Sequence, residues 1–80
     1  MAKKDKKDSK SSSVRTYKMI ELVGTSKNSY EDAIKNAVAD ASQTLEGLDW
    51  FQVTEFRGAI SDGKISEFQA IMKVGFRVLR

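Results

Sequence analysis

The spacing of hydrophobic and polar residues changes along this chain, and each change predicts a new element of secondary structure. Residues 15–24 are rich in strand-favouring side chains and end at Gly24, which predicts a first strand. Residues 25–28 are polar and predict a loop. Beyond this loop the apolar residues first follow the period of a helix and then return to that of strands.

The segment after the loop predicts one amphipathic helix. The spacing of an N-terminal cap occurs twice, in Ser29 with Asp32 and in Asn28 with Glu31. Either pair places an acidic residue in the first turn of the helix. Gly47 is the expected end of the helix. Apolar residues recur at spacings of three and four, which makes one stripe along the helix: Tyr30, Ile34, Ala37, Val38, Ala41, Leu45 and Leu48.

Two further strands joined by a tight turn are predicted after the helix. Residues 50–60 favour β-structure, and the Asp62-Gly63 dipeptide is typical of a two-residue hairpin turn. Every second residue of the returning strand is apolar: Phe68, Ala70, Met72, Val74, Phe76 and Val78. The order β-α-β-β predicts an α+β domain, in which a single helix covers one face of a three-stranded, mainly antiparallel sheet.

The turn also predicts how the two hairpin strands face each other, because it sets Ser61 opposite Lys64. Counting back from this pair places two pairs beneath the helix and three on the far face: Phe51 with Val74 and Val53 with Met72, then Trp50 with Gly75, Gln52 with Lys73 and Phe56 with Gln69. A glycine opposite a tryptophan is expected to leave open space for a stacked ligand. Ile71 would share this far face, which predicts an association surface or a ligand-binding surface.

The same count has two consequences for the polar residues of the hairpin. It places Arg57 opposite Phe68 beneath the helix, so we expect a β-bulge within residues 54–57 that reverses the later positions. It also separates Trp50 from Gln69 by roughly 20 Å of strand. One ring-sized ligand could then touch both residues only across two subunits or over a sharply curled sheet.

Length and composition limit the chemistry that the chain can perform. A chain of 80 residues is one small domain, and it contains neither cysteine nor histidine. Disulfides, zinc sites, thiol nucleophiles and imidazole catalysis are therefore excluded, and self-association is the expected source of additional stability. No apolar run approaches the length of a membrane span, and the N-terminus lacks a signal-peptide core, so we expect a cytoplasmic location and no membrane partner.

The formal net charge of +3 is concentrated at the N-terminus. Residues 1–13 contain five lysines and two aspartates, whereas the chain from Val14 onward has equal numbers of acidic and basic residues. We therefore expect a disordered Lys/Ser-rich tail over 1–13 and a folded domain over 14–80. A nucleic-acid partner would have to bind through the tail alone.

Several segments match a known family in both order and spacing: Ile20–Ser26, Leu48–Phe51 with Val53, Arg57-Gly58, the Asp62-Gly63 turn, Phe68-Gln69 and Met72–Arg77. Together they resemble the dodecins over about residues 14–78. The resemblance implies a hollow homododecamer of cubic symmetry that binds flavins in pairs between subunits. The ligand would be FMN, riboflavin or FAD, and some members of the family also bind coenzyme A.

The resemblance also implies a role for three residues. Trp50 matches the tryptophan that stacks on the flavin, Gln69 matches the glutamine that hydrogen-bonds the ring edge, and Arg57 matches an arginine that helps to hold the ligand. Another branch of the family lacks the tryptophan and is associated with calcium. The presence of Trp50 argues against that branch here.

Each of these residues also has a plain structural interpretation. A lone tryptophan in a small domain is usually a core or interface residue, a strand glutamine is usually solvated, and an arginine is usually a surface cation. The leading hypothesis is a non-enzymatic oligomer that stores, buffers or photoprotects FMN or riboflavin. The alternatives are a structural shell with incidental ligand binding, a flavin-dependent oxidoreductase and, ranked last, nucleic-acid binding through the tail.

Overall fold

The structure is a computed structural model that describes residues 15–78, so the tail predicted over 1–13 lies outside the described residues. The described chain contains β1 (Tyr17–Ser26), α1 (Tyr30–Ser42), β2 (Leu48–Ser61) and β3 (Lys64–Arg77). The three strands form one antiparallel sheet in the order β1-β3-β2. The predicted α+β fold and its β-α-β-β order are confirmed. No helix within residues 15–78 is long and apolar enough to cross a membrane.

The core lies between α1 and the central strand of the sheet. Its buried residues come from both elements: Ala33 and Ala37 from α1, and Ala70, Met72 and Val74 from β3. Gly24 of β1 lies against the Ala33 carbonyl, and a Cβ at this position would collide with the helix. The helix therefore approaches β1 closely and packs mainly on β1 and β3.

The start of α1 agrees with the sequence, but its end does not. The Ser29 hydroxyl accepts a hydrogen bond of 3.0 Å from the Asp32 amide, which confirms one of the two predicted caps. The helix ends at Ser42, so the prediction that it continues to Gly47 was wrong. Gly47 has φ 77°, and its carbonyl accepts a hydrogen bond from the Arg77 amide. The glycine therefore attaches the start of β2 to the sheet.

The strand boundaries also differ from the prediction. β1 runs two residues further than expected, because Thr25 and Ser26 pair with Gln69 and Phe68. Leu48, predicted as the last residue of the helical stripe, begins β2 and packs against the core. Tertiary pairing thus decides the ends of elements that propensity alone leaves open.

The hairpin turn has the predicted geometry. Asp62 and Gly63 have φ values of 52° and 75°, which is the left-handed conformation at both central residues of a type I′ turn. Five of the predicted cross-strand pairs are confirmed: Ser61 with Lys64, Trp50 with Gly75, Phe51 with Val74, Gln52 with Lys73 and Val53 with Met72.

Two one-residue bulges separate this confirmed segment from the turn. One shift in register places Ser66 between paired residues of β3, and the other places Thr54 between paired residues of β2. Between the two bulges the register differs by one residue from the simple count. The predicted bulge within residues 54–57 is confirmed, and the Thr54 hydroxyl there donates to the Ile71 carbonyl at 3.1 Å.

The predicted partner of Phe56 was wrong for the same reason. Phe56 pairs with Ala70 on the helix side of the sheet, and Arg57 takes the position opposite Gln69. The Phe56 ring lies 4.9 Å from the ring of Tyr30 at the start of α1, in an edge-to-face arrangement. A shift of one residue moves every side chain of a strand segment to the other face.

Candidate functional site

The face of the sheet opposite α1, termed the open face, carries all three residues that the sequence proposed for a ligand. Trp50 lies opposite Gly75 near one end, and Arg57 lies opposite Gln69 toward the other. The remaining open-face residues between these positions include Met19 and Val23 of β1, Gln52 of β2, and Ile71 and Lys73 of β3.

Trp50 is supported from beneath by the backbone of β3. A Cβ added to Gly75 would overlap three atoms of the indole, so the ring lies directly over this glycine. The space expected above Gly75 is therefore filled by the indole itself, which corrects the prediction of an empty gap. The side chain remains partly accessible, with 38% of its surface exposed. A flat ligand could contact the side of the ring that faces away from the sheet.

A neighbouring tyrosine limits the movement of the indole. The ring centroids of Tyr17 and Trp50 are 6.1 Å apart, and their planes are tilted by 59°. The Tyr17 hydroxyl donates a hydrogen bond of 2.8 Å to the carboxylate of Asp49. Asp49 lies at a register shift between Leu48 and Trp50. This contact could not be predicted from the sequence, because only the long-range pairing of β1 with β3 brings Tyr17 to Trp50.

Arg57 and Gln69 form a polar site toward the other end of the open face. They are direct cross-strand partners, so a single ligand could reach both side chains from one subunit. The Gln69 side-chain nitrogen donates a hydrogen bond of 2.9 Å to the carboxylate of Glu67. Glu67 was not among the predicted site residues, although its spacing of two from Gln69 indicates that both lie on one face of a strand.

One subunit does not bring Trp50 to this polar site. Gly75, the partner of Trp50, lies six residues from Gln69 along β3, which corresponds to roughly 20 Å of extended strand. A tricyclic ring is shorter than this distance. A ligand that stacks on Trp50 and hydrogen-bonds to Gln69 therefore requires these residues from two different subunits.

The apolar surface of the described chain is distributed differently from the prediction. Ile71 lies on the open face but is only 9% exposed in the central strand, and Phe56 belongs to the helix side. Besides Trp50, the exposed apolar residues of the open face are Met19 and Val23. On the helix side, a cavity of about 480 Å³ between α1 and β2 is lined mainly by Ile34, Val38, Ala39 and Phe51.

A comparison with protein families identifies the fold. The family model described as Dodecin matches residues 16–79. This chain belongs to the dodecin family. The resemblance stated from the sequence is therefore confirmed, and it extends over the whole described domain.

Known dodecins are similar to this chain along nearly their full length. The dodecin of Thermus thermophilus is 48% identical over 64 residues, which cover 80% of this chain and 93% of the relative. The structure of dodecin from Streptomyces coelicolor superimposes with a TM-score of 0.82 at 48% identity, covering 86% of this chain and 99% of that one.

A calcium dodecin is more distant. The calcium-chelating antigen of Mycobacterium tuberculosis has 31% identity and a TM-score of 0.71, over 80% of this chain and 91% of that one. Within residues 15–78 of the present dodecin, no group of three or more acidic side chains is positioned to hold a metal ion.

Proposed function

We propose that this dodecin is a non-enzymatic oligomer that binds FMN or riboflavin between its subunits and thereby stores or shields the flavin. Membership of the dodecin family supports self-association, and a hollow homododecamer is the expected assembly. The observation that carries the proposal is the position of Trp50, which lies over Gly75 on the open face and keeps part of its ring accessible.

Stacking on Trp50 suits the chemistry of a flavin ring. The isoalloxazine is flat, electron-poor and apolar on its faces, so offset stacking on an indole contributes about 0.5 to 1.5 kcal/mol beyond the burial of apolar area. Gly75 supports the indole from the sheet side, and Tyr17 limits its tilt. The indole is therefore held in place before a ligand arrives, which reduces the entropy lost on binding.

The polar edge of the flavin matches the groups at the other end of the open face. A primary amide has both a donor and an acceptor, so Gln69 fits a ring edge on which an N–H lies between two carbonyl groups. Arg57, directly opposite Gln69, has several N–H donors for ring oxygens or a phosphate. Because of the separation along β3, these groups would act on a flavin that stacks on Trp50 of a neighbouring subunit.

Storage agrees with this arrangement better than catalysis does. A flavin stacked between indoles has its ring faces covered, which leaves no room for a substrate at the reactive part of the ring. Contact with an indole also provides an electron donor that quenches the photoexcited flavin. Quenching would protect both the ligand and its surroundings from photochemical damage.

A titration of FMN with the purified protein tests the proposal. We expect strong quenching of flavin fluorescence, and native mass spectrometry of the same sample should show the assembly with bound flavin. The Trp50→Ala variant should bind FMN about a hundredfold more weakly, because both stacking and apolar burial are lost. Trp50→Phe, which keeps a smaller ring, should lie between the two. Unquenched emission at micromolar protein would contradict the proposal.

A structural shell with incidental ligand binding is the second candidate. It is favoured by exposed apolar residues far from Trp50: Ile60 is 78% exposed and Ile65 is 63% exposed, and the two face each other beside the hairpin turn. Under this function the assembly would form normally, and wild type and Trp50→Ala would bind FMN equally weakly. Native mass spectrometry would also identify coenzyme A or another flavin as a copurified ligand.

A further inference from the structure

We propose that Glu67 positions the side-chain amide of Gln69 and thereby makes the site selective for ligands with an imide edge, an N–H flanked by two carbonyl groups. This inference rests on the proposed flavin-binding function and extends it to a residue outside the predicted site. It depends on the hydrogen bond of 2.9 Å from the Gln69 amide nitrogen to the Glu67 carboxylate.

The chemistry of the two side chains makes this hydrogen bond directional. An ionised carboxylate only accepts hydrogen bonds, whereas the two ends of a primary amide differ, since the nitrogen donates and the oxygen accepts. Glu67 can therefore bond only to the nitrogen of Gln69. Turning the amide over would place its oxygen against the carboxylate, which is electrostatically unfavourable. The neighbouring charge thus selects one orientation of an otherwise ambiguous group.

The remaining hydrogen-bonding capacity of Gln69 then has a fixed pattern. One N–H is used by Glu67, which leaves one N–H donor and the side-chain oxygen as an acceptor. An imide edge offers the complementary acceptor and donor side by side. Both Gln69 and Glu67 are partly buried in the sheet, so water competes less for these groups than at a fully exposed site.

A purely structural role for Glu67 predicts a different outcome. Glu67 lies beside the Ser66 bulge and pairs with Ala59, so its hydrogen bond could serve only to stabilise the hairpin. In that case, removal of the Glu67 side chain would weaken the binding of all ligands equally or lower the stability of the assembly. Selectivity between two ligands that differ only at the imide nitrogen separates the two roles.

The experiment compares riboflavin with riboflavin methylated at the imide nitrogen, with binding followed by flavin fluorescence. The wild type should prefer unmodified riboflavin by about tenfold, because methylation removes a donor and leaves the Gln69 oxygen unpaired. Glu67→Ala should reduce this preference to about twofold or less. Glu67→Gln should retain only part of it, because its amide can accept the same bond from Gln69 or, turned over, donate to the Gln69 oxygen.

Two controls complete the design. Glu46→Ala removes an exposed carboxylate outside the sheet and should leave the tenfold preference unchanged. In a Gln69→Ala background, removing Glu67 should have no further effect on selectivity, since the residue that it positions is absent. If Glu67→Ala fails to assemble, Glu67→Leu repeats the test with a side chain better suited to a strand.

The outcomes distinguish this inference from the function on which it rests. A wild type that quenches neither compound would overturn the flavin-binding function together with the role of Glu67. A wild type that binds and discriminates, with a Glu67→Ala variant that discriminates equally well, would overturn the positioning role alone. Loss of the preference in Glu67→Ala, with an intermediate preference in Glu67→Gln, is the result that we expect.

Discussion

The two ends of the open face prepare their side chains for a ligand in different ways. At one end Trp50 is positioned by packing, because its ring lies on a residue without a side chain and beside the ring of Tyr17. At the other end Gln69 is positioned by a directional hydrogen bond to Glu67. An aromatic face needs a flat support and one accessible side, whereas a group that reads a ring edge needs a defined orientation.

The backbone differs between these ends as well. From Trp50 to Val53 the strand pairing follows directly from the turn, but between the Thr54 and Ser66 bulges it is offset by one residue. This offset places Arg57 beside Gln69 on the open face and moves Phe56 beneath the start of α1. The bulges therefore have two effects. They keep the Arg57 cation from being buried beneath the helix, and they place it beside Gln69 to form the polar site.

The largest expected effect concerns packing at the Trp50 end. Gly75→Ala introduces a methyl group into the position of the indole, so the ring must move. We expect the free energy of unfolding to fall by about 1 to 3 kcal/mol, as for other overpacked sites. Flavin quenching should weaken as well. Denaturation at a fixed protomer concentration measures the first effect, and an FMN titration measures the second.

Trp50→Ala provides the control for this substitution. Once the indole is removed, Gly75→Ala should have little effect on stability, because the collision no longer exists. An equal cost of Gly75→Ala with and without the indole would show that the glycine serves another purpose.

An intermediate effect is expected from the residue that the bulges reorient. Phe56 and Tyr30 should be coupled by about 0.5 to 1.5 kcal/mol in a double-mutant cycle of Phe56→Ala and Tyr30→Ala, because their rings meet edge to face. Thermal or urea denaturation of the four proteins measures this coupling. Strictly additive effects would show that the rings of Phe56 and Tyr30 are not in contact.

The smallest effect is expected at the hydrogen bond beside Trp50. Tyr17→Phe keeps the ring but removes the hydroxyl that donates to Asp49, an exposed contact. We expect FMN affinity to fall by about two- to threefold, in line with the modest contribution of a single exposed hydrogen bond. Tyr30→Phe is the matched control and should leave FMN affinity unchanged. An equal loss of FMN affinity in both variants would show that the Tyr17 hydroxyl has no specific role in positioning Trp50.

Much of the fold could be predicted from short-range patterns. Ser29 and Asp32 form the predicted cap, and the two residues of the hairpin turn take the predicted left-handed conformation. Both features depend on residues that are neighbours in sequence. The role of Gly47 could not be predicted in this way, because its carbonyl accepts a hydrogen bond from the Arg77 amide, which lies 30 residues further along the chain.

The candidate site could be predicted only in part for the same reason. The position of Trp50 opposite Gly75 followed from the turn, because the two compensating bulges leave that part of the register unchanged. The pairing of Arg57 with Gln69 did not follow, because the pattern indicated a bulge within residues 54–57 but not the second bulge at Ser66. The contact of Tyr17 with Trp50 depends on strand pairing over a long separation and was also missed.

By itself the sequence determined the element order, the helix cap, the turn, the family and the residue types available for a ligand. These follow from local conformational preferences and from the identity and spacing of side chains. The tertiary structure alone decided where the helix ends, which face Phe56 and Arg57 occupy, and which side chains support Trp50 and Gln69. Those features depend on strand register and close packing, in which a change of one residue exchanges the two faces of the sheet.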